Sequence, residues 1–296
     1  MTRRRRRSRT SRAGCALVAG VVTLAAAVAA VVAVLDLGDG ARPVAERCAA
    51  ELDGTAWYLS PEQADNAALL TAQGLARDLP ARAATIAIAT ALQESKLSNI
   101  TYGDRDSLGL FQQRPSQGWD TPEEIMDPVY ATGRFYDGLV EVPGYDTLPI
   151  TEAAQAVQRS GYPDAYAQHE GRARAWASAL AGWSPATLTC TLRDPEAAVP
   201  GTFVQRVARD HGDLAVTPDA SGEVVVDARP IGAGSPDEDV RAGWALAQWA
   251  VAVARPEAVT RVRALDQVWD RADGTWTTAT TAALPPGEVR VTLAAP

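Results

Sequence analysis

The chain has 296 residues, 47% of them hydrophobic, with 36 acidic against 28 basic side chains and a formal charge of −8. That length can build one or two cored domains, and that composition excludes a disordered chain. Seven of the arginines fall in the first twelve residues, so the remainder holds 21 basic and 36 acidic residues, a charge of −15 that excludes nucleic-acid binding by counterion release.

The leading arginines run into an uncharged apolar stretch at 13–35, long enough at helical rise to cross a bilayer. Arginines ahead of such a span hold that end in the cytoplasm. Residues 1–40 are therefore expected to be a cytoplasmic tail, a transmembrane anchor and a linker, with everything after them outside the cell. Cleavage in the alanine-rich part of the stretch would instead release a secreted chain. Cys48 and Cys190 then lie in an oxidising compartment and bracket about 140 residues, so they are expected to form a disulfide. With two histidines and no Cys/His cluster at ligand spacing, neither a metal nor a cofactor is expected.

Residues 45–190 read as mainly helical. Ser60-Pro61-Glu62-Gln63 is a capping box with proline at the first helical position, and predicts a helix to about residue 78. Pro80 opens a second helix. Thr121-Pro122-Glu123-Glu124 is another capping box, and Asp127-Pro128 starts a helix through 136. Helices over 151–159 and 164–180 complete the set, the last stopped by Gly182. After the break at Arg193-Asp194-Pro195, residues 196–296 read as a small α/β accessory domain for wall or partner binding. Its expected elements are a helix over 203–210, a strand at 223–227, an amphipathic helix over 237–254 and strands at 259–265 and 289–293. Trp244 and Trp249 on the longer helix read as core. The expected fold class is α+β: a transmembrane helix, a mainly α-helical domain and a small C-terminal α/β domain.

The chemistry centres on the helix after Pro80. Ala84, Ala87, Ile88 and Ala91 recur at helical spacing and mark a buried face, and Glu94 extends that stripe. A desolvated carboxyl holds its proton near neutral pH, as a general acid for a glycosidic oxygen requires. Asp104 and Asp106 are the carboxylates that would activate a water in an inverting hydrolysis, although a Gly-Asp-x-Asp stretch is also ordinary turn chemistry. Tyr102, Trp119, Tyr130 and Tyr162 offer aromatic faces that suit sugars. Trp119, in the Gln117-Gly118-Trp119 loop, leads among them.

Glu94-Ser95 is followed fifteen residues later by Gly109-Leu110-Phe111-Gln112, with Gly103-Asp104-Arg105 just before that turn. This ordered set resembles the lytic transglycosylase and goose-type lysozyme group, which carries a helix-borne Glu-Ser and then a Gly-Leu-Met-Gln-like turn. Phe111 stands in the methionine place, and Gly103-Asp104-Arg105 looks like the goose-type Gly-Asp-Arg stretch. The resemblance covers about residues 55 to 185. It implies a lysozyme-like domain that cuts the β-1,4 bond between N-acetylmuramic acid and N-acetylglucosamine in peptidoglycan. The spacing to Gly109 slightly favours the transglycosylase outcome, a 1,6-anhydro sugar, over hydrolysis.

The resemblance also implies roles. Glu94 is the general acid and base. Ser95 bonds near the substrate or braces the helix end. Gly109 lets backbone approach the sugar. Leu110 and Phe111 complete that substrate-facing turn with Asp104 before it, and Gln112 lines the cleft and meets the N-acetyl group. One departure stands out: the group's Ala-Tyr-Asn motif, whose tyrosine faces the catalytic glutamate, has no match. The corresponding helix reads Ala153-Ala154-Gln155-Ala156-Val157-Gln158, with Gln155 in the tyrosine place and Tyr162 and Tyr166 as substitutes. A catalytically inactive peptidoglycan-binding or assembly protein on the same scaffold is the alternative. Expected partners are glycan strands and the membrane, with a secretion or conjugation machine held open as a third.

Overall fold

The computed structural model describes residues 45–295 apart from 163, 200, 220–222 and 233, together with Val28. The expected anchor over 13–35 and the arginine-rich tail lie outside the described residues. Among the described residues, no helix is long and apolar enough to cross a membrane.

Asp53 and Gly54 both take positive φ, 52° and 72°, the geometry of a two-residue hairpin turn. They join strand β1 (Arg47–Leu52) to β2 (Thr55–Leu59), and β3 (Leu188–Thr191) pairs antiparallel on the other side of β1. Cys48 lies directly opposite Cys190 in this pairing, and the expected disulfide joins them. The bond closes a sequence separation of 142 residues and ties the two ends of the helical segment together.

Between these strands run the helices α1 (Pro61–Leu75), α2 (Ala81–Ser95), α3 (Pro122–Met126), α4 (Pro128–Val140), α5 (Ile150–Gln158) and α6 (Glu170–Leu180). The capping boxes at Ser60/Gln63 and Thr121/Glu124 are both formed, and Asp127 caps α4 through the Val129 and Tyr130 amides. The helix expected over 164–180 begins only at Glu170, after a short 3-10 turn at Ala167–His169. Helix α2 is the centre of this half. It is buried continuously from Ala83 to Leu92, not on one stripe alone, because α1, α5 and α6 all pack on it. Its alanines let those neighbours approach closely, while Ile86 and Ile88, fully buried, contribute roughly 1.5–3 kcal/mol each. Only its last turn leaves this shell, and Glu94 sits there.

The rest of the chain forms α7 (Thr202–His211), β4 (Val216–Pro218), β5 (Val224–Asp227), α8 (Pro236–Ala252), β6 (Val259–Ala264), β7 (Gln267–Asp270), β8 (Thr275–Thr278) and β9 (Glu288–Leu293). The six strands make one antiparallel sheet in the order β4-β5-β9-β6-β7-β8. Val226, Val262, Trp269, Val289 and Val291 are buried in it.

The sequence placed a separate accessory domain after residue 195, yet residues 45–296 form one compact unit. Helix α8 is the reason. It is buried from Ala242 to Ala252 and needs cover on more than one side. It packs on β6 and β9 with one side and on α6 and β3 with another. The buried Gln248 amide donates to the Ala179 carbonyl at 2.6 Å and accepts from the Leu188 amide at 2.9 Å. Helix α7 is fixed to α1 by the Arg206–Asp65 ion pair, and Gln73 donates to the Arg209 and Asp210 carbonyls. Trp244 and Trp249 are core, as the sequence suggested.

Candidate active-site cleft

The position of Glu94 is set by how α2 ends. Lys96 and Leu97 both adopt left-handed backbone, with φ of 56° and 59°, and turn the chain sharply out of the helix. Two side chains of α1 hold that turn. Gln63 donates to the Lys96 carbonyl at 2.8 Å and Asn66 to the Leu97 carbonyl at 3.0 Å. Gln63 accepts from the Ser60 amide at the same time, so one side chain both starts α1 and fastens the end of α2.

Ser95, next to Glu94, is buried. Its hydroxyl lies 2.7 Å from the Leu110 carbonyl and 3.1 Å from that of Ala91, and it accepts from the Ser98 amide at 3.2 Å. Ser95 therefore braces the helix end and the Gly109 turn and does not face the cleft. Gly109 has φ of 77°, and a Cβ there would stand 2.7 Å from the Ile125 carbonyl oxygen. Glycine at this point admits the backbone of α3, not a sugar. Leu110 and Phe111 are core side chains, and Phe111 stacks on Phe135 at 4.4 Å between ring centroids. The expected substrate contacts at Gly109, Leu110 and Phe111 are thus replaced by structural roles, Ser95 takes the bracing one of its two expected roles rather than the substrate one, and of the turn only Gln112 reaches the cleft.

That cleft has a volume of about 950 Å³. Glu94, Asp104, Gln112, Trp119, Gln158 and Tyr162 lie along it. Glu94 is half-buried, and its Oε1 accepts from the Tyr166 hydroxyl at 2.7 Å. Gln158 donates to the Phe111 carbonyl at 2.7 Å and lines the cleft beside Glu94. Burial raises the Glu94 pKa, and the hydrogen bond from Tyr166 counters that only in part. The Tyr166 pKa is itself pushed up, first by burial and then by the adjacent carboxylate, so its hydroxyl keeps its proton and stays a donor.

Tyr166, on a loop after α5, is thus the one of the two expected substitutes that faces Glu94. Gln155 does not approach Glu94; its amide donates to the Ser160 carbonyl at 2.8 Å. Tyr162 stands exposed on the rim. Tyr130 is not among the residues that line the cleft.

The acidic turn divides in two. Asp106 accepts from Arg114 at 2.8 Å, the Ser116 amide at 2.8 Å and the Ser116 hydroxyl at 3.0 Å. Those bonds, led by Arg114, hold its carboxyl far below the usual carboxylate range. It braces the loop. Asp104 is exposed on the cleft wall, where Asp137 and Glu141 are further carboxylates. Arg114 and Arg134 also line the cleft but are paired with acids, whereas Arg159 is the lining cation without an ion-pair partner among the described residues.

Gln158, Arg159 and Ser160, together with Arg134, Asp137 and Glu141, are cleft residues that the sequence did not single out. Helical spacing from Gln155 to Gln158 was the available signal, because it puts both amides near one face of α5. Among the described residues, no group of three or more His, Cys, Asp or Glu side chains is arranged to hold a metal ion. No protein-family model matches the chain, and a search of curated proteins finds no match to it.

Proposed function

We propose that this protein cleaves the β-1,4 bond between N-acetylmuramic acid and N-acetylglucosamine in peptidoglycan, with Glu94 as acid and then base. The observation that carries this reading is a half-buried carboxyl on a cleft, raised in pKa by desolvation and held by a phenolic donor that keeps its own proton. Such a group gives its proton to the bridging oxygen as that oxygen leaves. The Tyr166 hydrogen bond then supports the carboxylate that remains.

Asp106 is engaged by Arg114 and Ser116, so it is a poor activator of water. In the transglycosylase outcome that we propose, the muramyl C6 hydroxyl attacks the anomeric carbon and returns its proton to Glu94. The C1–oxygen bond breaks, a C1–O6 bond closes, and a 1,6-anhydro end forms without net uptake of water. Gln112 and Trp119 suit the N-acetyl group and a sugar face, and Arg159 suits a stem-peptide carboxylate. If the stretch at 13–35 anchors the chain, cutting takes place at the outer face of the membrane, beside a secretion or conjugation machine if one recruits it.

Digestion of purified wall followed by mass analysis of soluble fragments tests this reading. Fragments ending in 1,6-anhydromuramic acid are expected. Fragments with a free reducing end would move the reaction to hydrolysis, and binding of strands without any released fragment would leave a wall-binding protein in its place.

A further inference from the structure

A side-chain oxygen of α2 clasps the turn that carries Tyr166. Gln93, directly before Glu94, is half-buried at the end of that helix. Its Oε1 accepts from the Gln168 amide at 3.1 Å and lies 3.1 Å from His169 Nε2. A carboxamide oxygen only accepts, so both neighbours must donate, and neutral His169 carries its hydrogen on Nε2. Each donor is also fastened to the backbone beside the phenol. The Gln168 amide nitrogen, which has two hydrogens, donates as well to the Ala165 carbonyl at 3.1 Å. The His169 backbone amide donates to the Tyr166 carbonyl at 3.0 Å. Gln93 thus grips the chain just before Tyr166 and at Tyr166 itself. From there the phenol reaches back to the next residue of α2, Glu94, at 2.7 Å.

We propose that Gln93 is a positioning residue for the acid: through Gln168 and His169 it fixes the Tyr166 turn against the last turn of α2, and so sets the phenol hydroxyl at bonding distance from Glu94. This rests on the reading of Glu94 as the acid. Consecutive residues of α2 supply both ends of the arrangement, and that helix is a firm frame because it is buried continuously from Ala83 to Leu92. The turn has less to hold it. It is a 3-10 turn of three residues, and Ala167 and Gln168 in it are exposed. Burial keeps the Tyr166 ring in the core, but its hydroxyl moves with the backbone that carries it. A hydrogen bond weakens steeply as it is bent, so a small drift of the turn is enough to lose the donation. Without the Gln93 oxygen, support for the carboxylate weakens and its proton affinity rises.

The charged groups of the cleft lie apart from this clasp. Asp104, Asp137, Glu141 and Arg159 line the wall, and Arg114 and Arg134 are paired with acids. Gln158, also beside Glu94, donates to the Phe111 carbonyl. His169 is the titratable member of the clasp, and its Nε2 hydrogen is present in both charge states, so the grip does not depend on its protonation.

The test uses the full chain. Gln93→Met keeps the side-chain length and removes the oxygen. His169→Phe removes one donor, and His169→Gln keeps a donor near the Nε2 position. Tyr166→Phe is made alone and with Gln93→Met. Two readouts are taken. One is the pH profile of glycan cleavage. The other is a carboxyl ¹³C NMR titration of Glu94, assigned by the signal missing from Glu94→Gln. Gln93→Met should move the alkaline limb and the NMR midpoint to higher pH and lower kcat roughly three- to tenfold, the size of one hydrogen bond, with KM unchanged. His169→Phe should shift both in the same direction by less, and His169→Gln should leave them near the wild type. In the Tyr166→Phe background Gln93→Met should do nothing further, since its effect passes through the phenol. An unshifted NMR midpoint in Gln93→Met, or a shift that persists without the Tyr166 hydroxyl, overturns the proposal. If Gln93→Met does not fold, His169→Phe set against His169→Gln makes the same comparison, and equal midpoints in those two overturn it. If the wild type cuts no glycan, it is the reading of the function that fails, and the NMR titration still decides the role of Gln93.

Discussion

Replacing Gly109 by alanine separates a structural glycine from one that serves the sugar. At φ of 77° an alanine sits in left-handed backbone, which costs about 1–2 kcal/mol. Its Cβ would lie 2.7 Å from the Ile125 carbonyl oxygen, a backbone atom that cannot rotate aside, and 3.4 Å from the Asn99 side-chain oxygen. Relief requires the turn or α3 to shift, at a cost on the order of 1–3 kcal/mol, as in other overpacked sites. Together these give about 2–5 kcal/mol, or a fall in Tm of roughly 5–15 °C for a unit of this size. Scanning calorimetry reads the Tm, and kinetics on soluble glycan strands read the site. Because the Leu110 carbonyl is bonded to Ser95 beside the acid, kcat should fall with the Tm while KM changes little. A variant with wild-type Tm and a raised KM would refute this reasoning and return Gly109 to the sugar.

Further predictions concern charge and covalent closure. Glu94 has a raised pKa in the fold, so its stabilising contribution exists below the unfolded value and is lost as pH rises through the folded one. Glu94→Gln should therefore raise the Tm near pH 7 and give no gain below about pH 4; an equal or lower Tm near pH 7 would contradict a desolvated carboxylate. His211 is buried against Trp249 at 4.9 Å, and burial lowers its pKa from 6.5 to about 4. The unfolded chain takes up a proton that the fold refuses, so stability is full above about pH 6.5 and declines toward pH 4 by roughly 3 kcal/mol. Denaturant titrations across that range should show the slope, and His211→Gln should flatten it. Replacing both Cys48 and Cys190 by alanine opens a loop of 142 residues and should cost about 3–5 kcal/mol by guanidinium titration, whereas an unchanged midpoint would mean the pairing of β1 with β3 suffices alone.

The parts legible in the sequence were those whose signals are local. Ser60/Gln63, Thr121/Glu124 and Asp127 mark helix starts through bonds made within three residues, and all three caps form. The disulfide followed from compartment and cysteine count, and the cores of α8, β6 and β9 from periodicity. The first sheet was not legible. Strands β1 and β3 are short, and their pairing joins residues 142 apart, so neither shows in its own window. The accessory-domain boundary at 195 was misplaced for a related reason, since a break in local composition does not reveal that α8 is clamped by Gln248 to the helical half.

The site shows the same division. Glu94 was found from an apolar stripe that turned out to be one side of a helix buried all round. The turn from Gly109 to Gln112 was found as a unit, but Leu110 and Phe111 were assigned to the sugar when they in fact pack into the protein's own core, while Ser95 takes the bracing role that was one of its two expected ones. Tyr166 was one of two options, because its approach to α2 depends on how the loop after α5 folds back across 72 positions of sequence. No spacing rule encodes that return.

Release of soluble muropeptides by wild type and Glu94→Gln, both confirmed as folded by calorimetry and followed at equal protein concentration, addresses the acid itself. Release by the wild type and a loss of about 10²–10⁴-fold in the variant are expected for a general acid. Equal release by the two proteins would mean that the proton on the bridging oxygen comes from elsewhere.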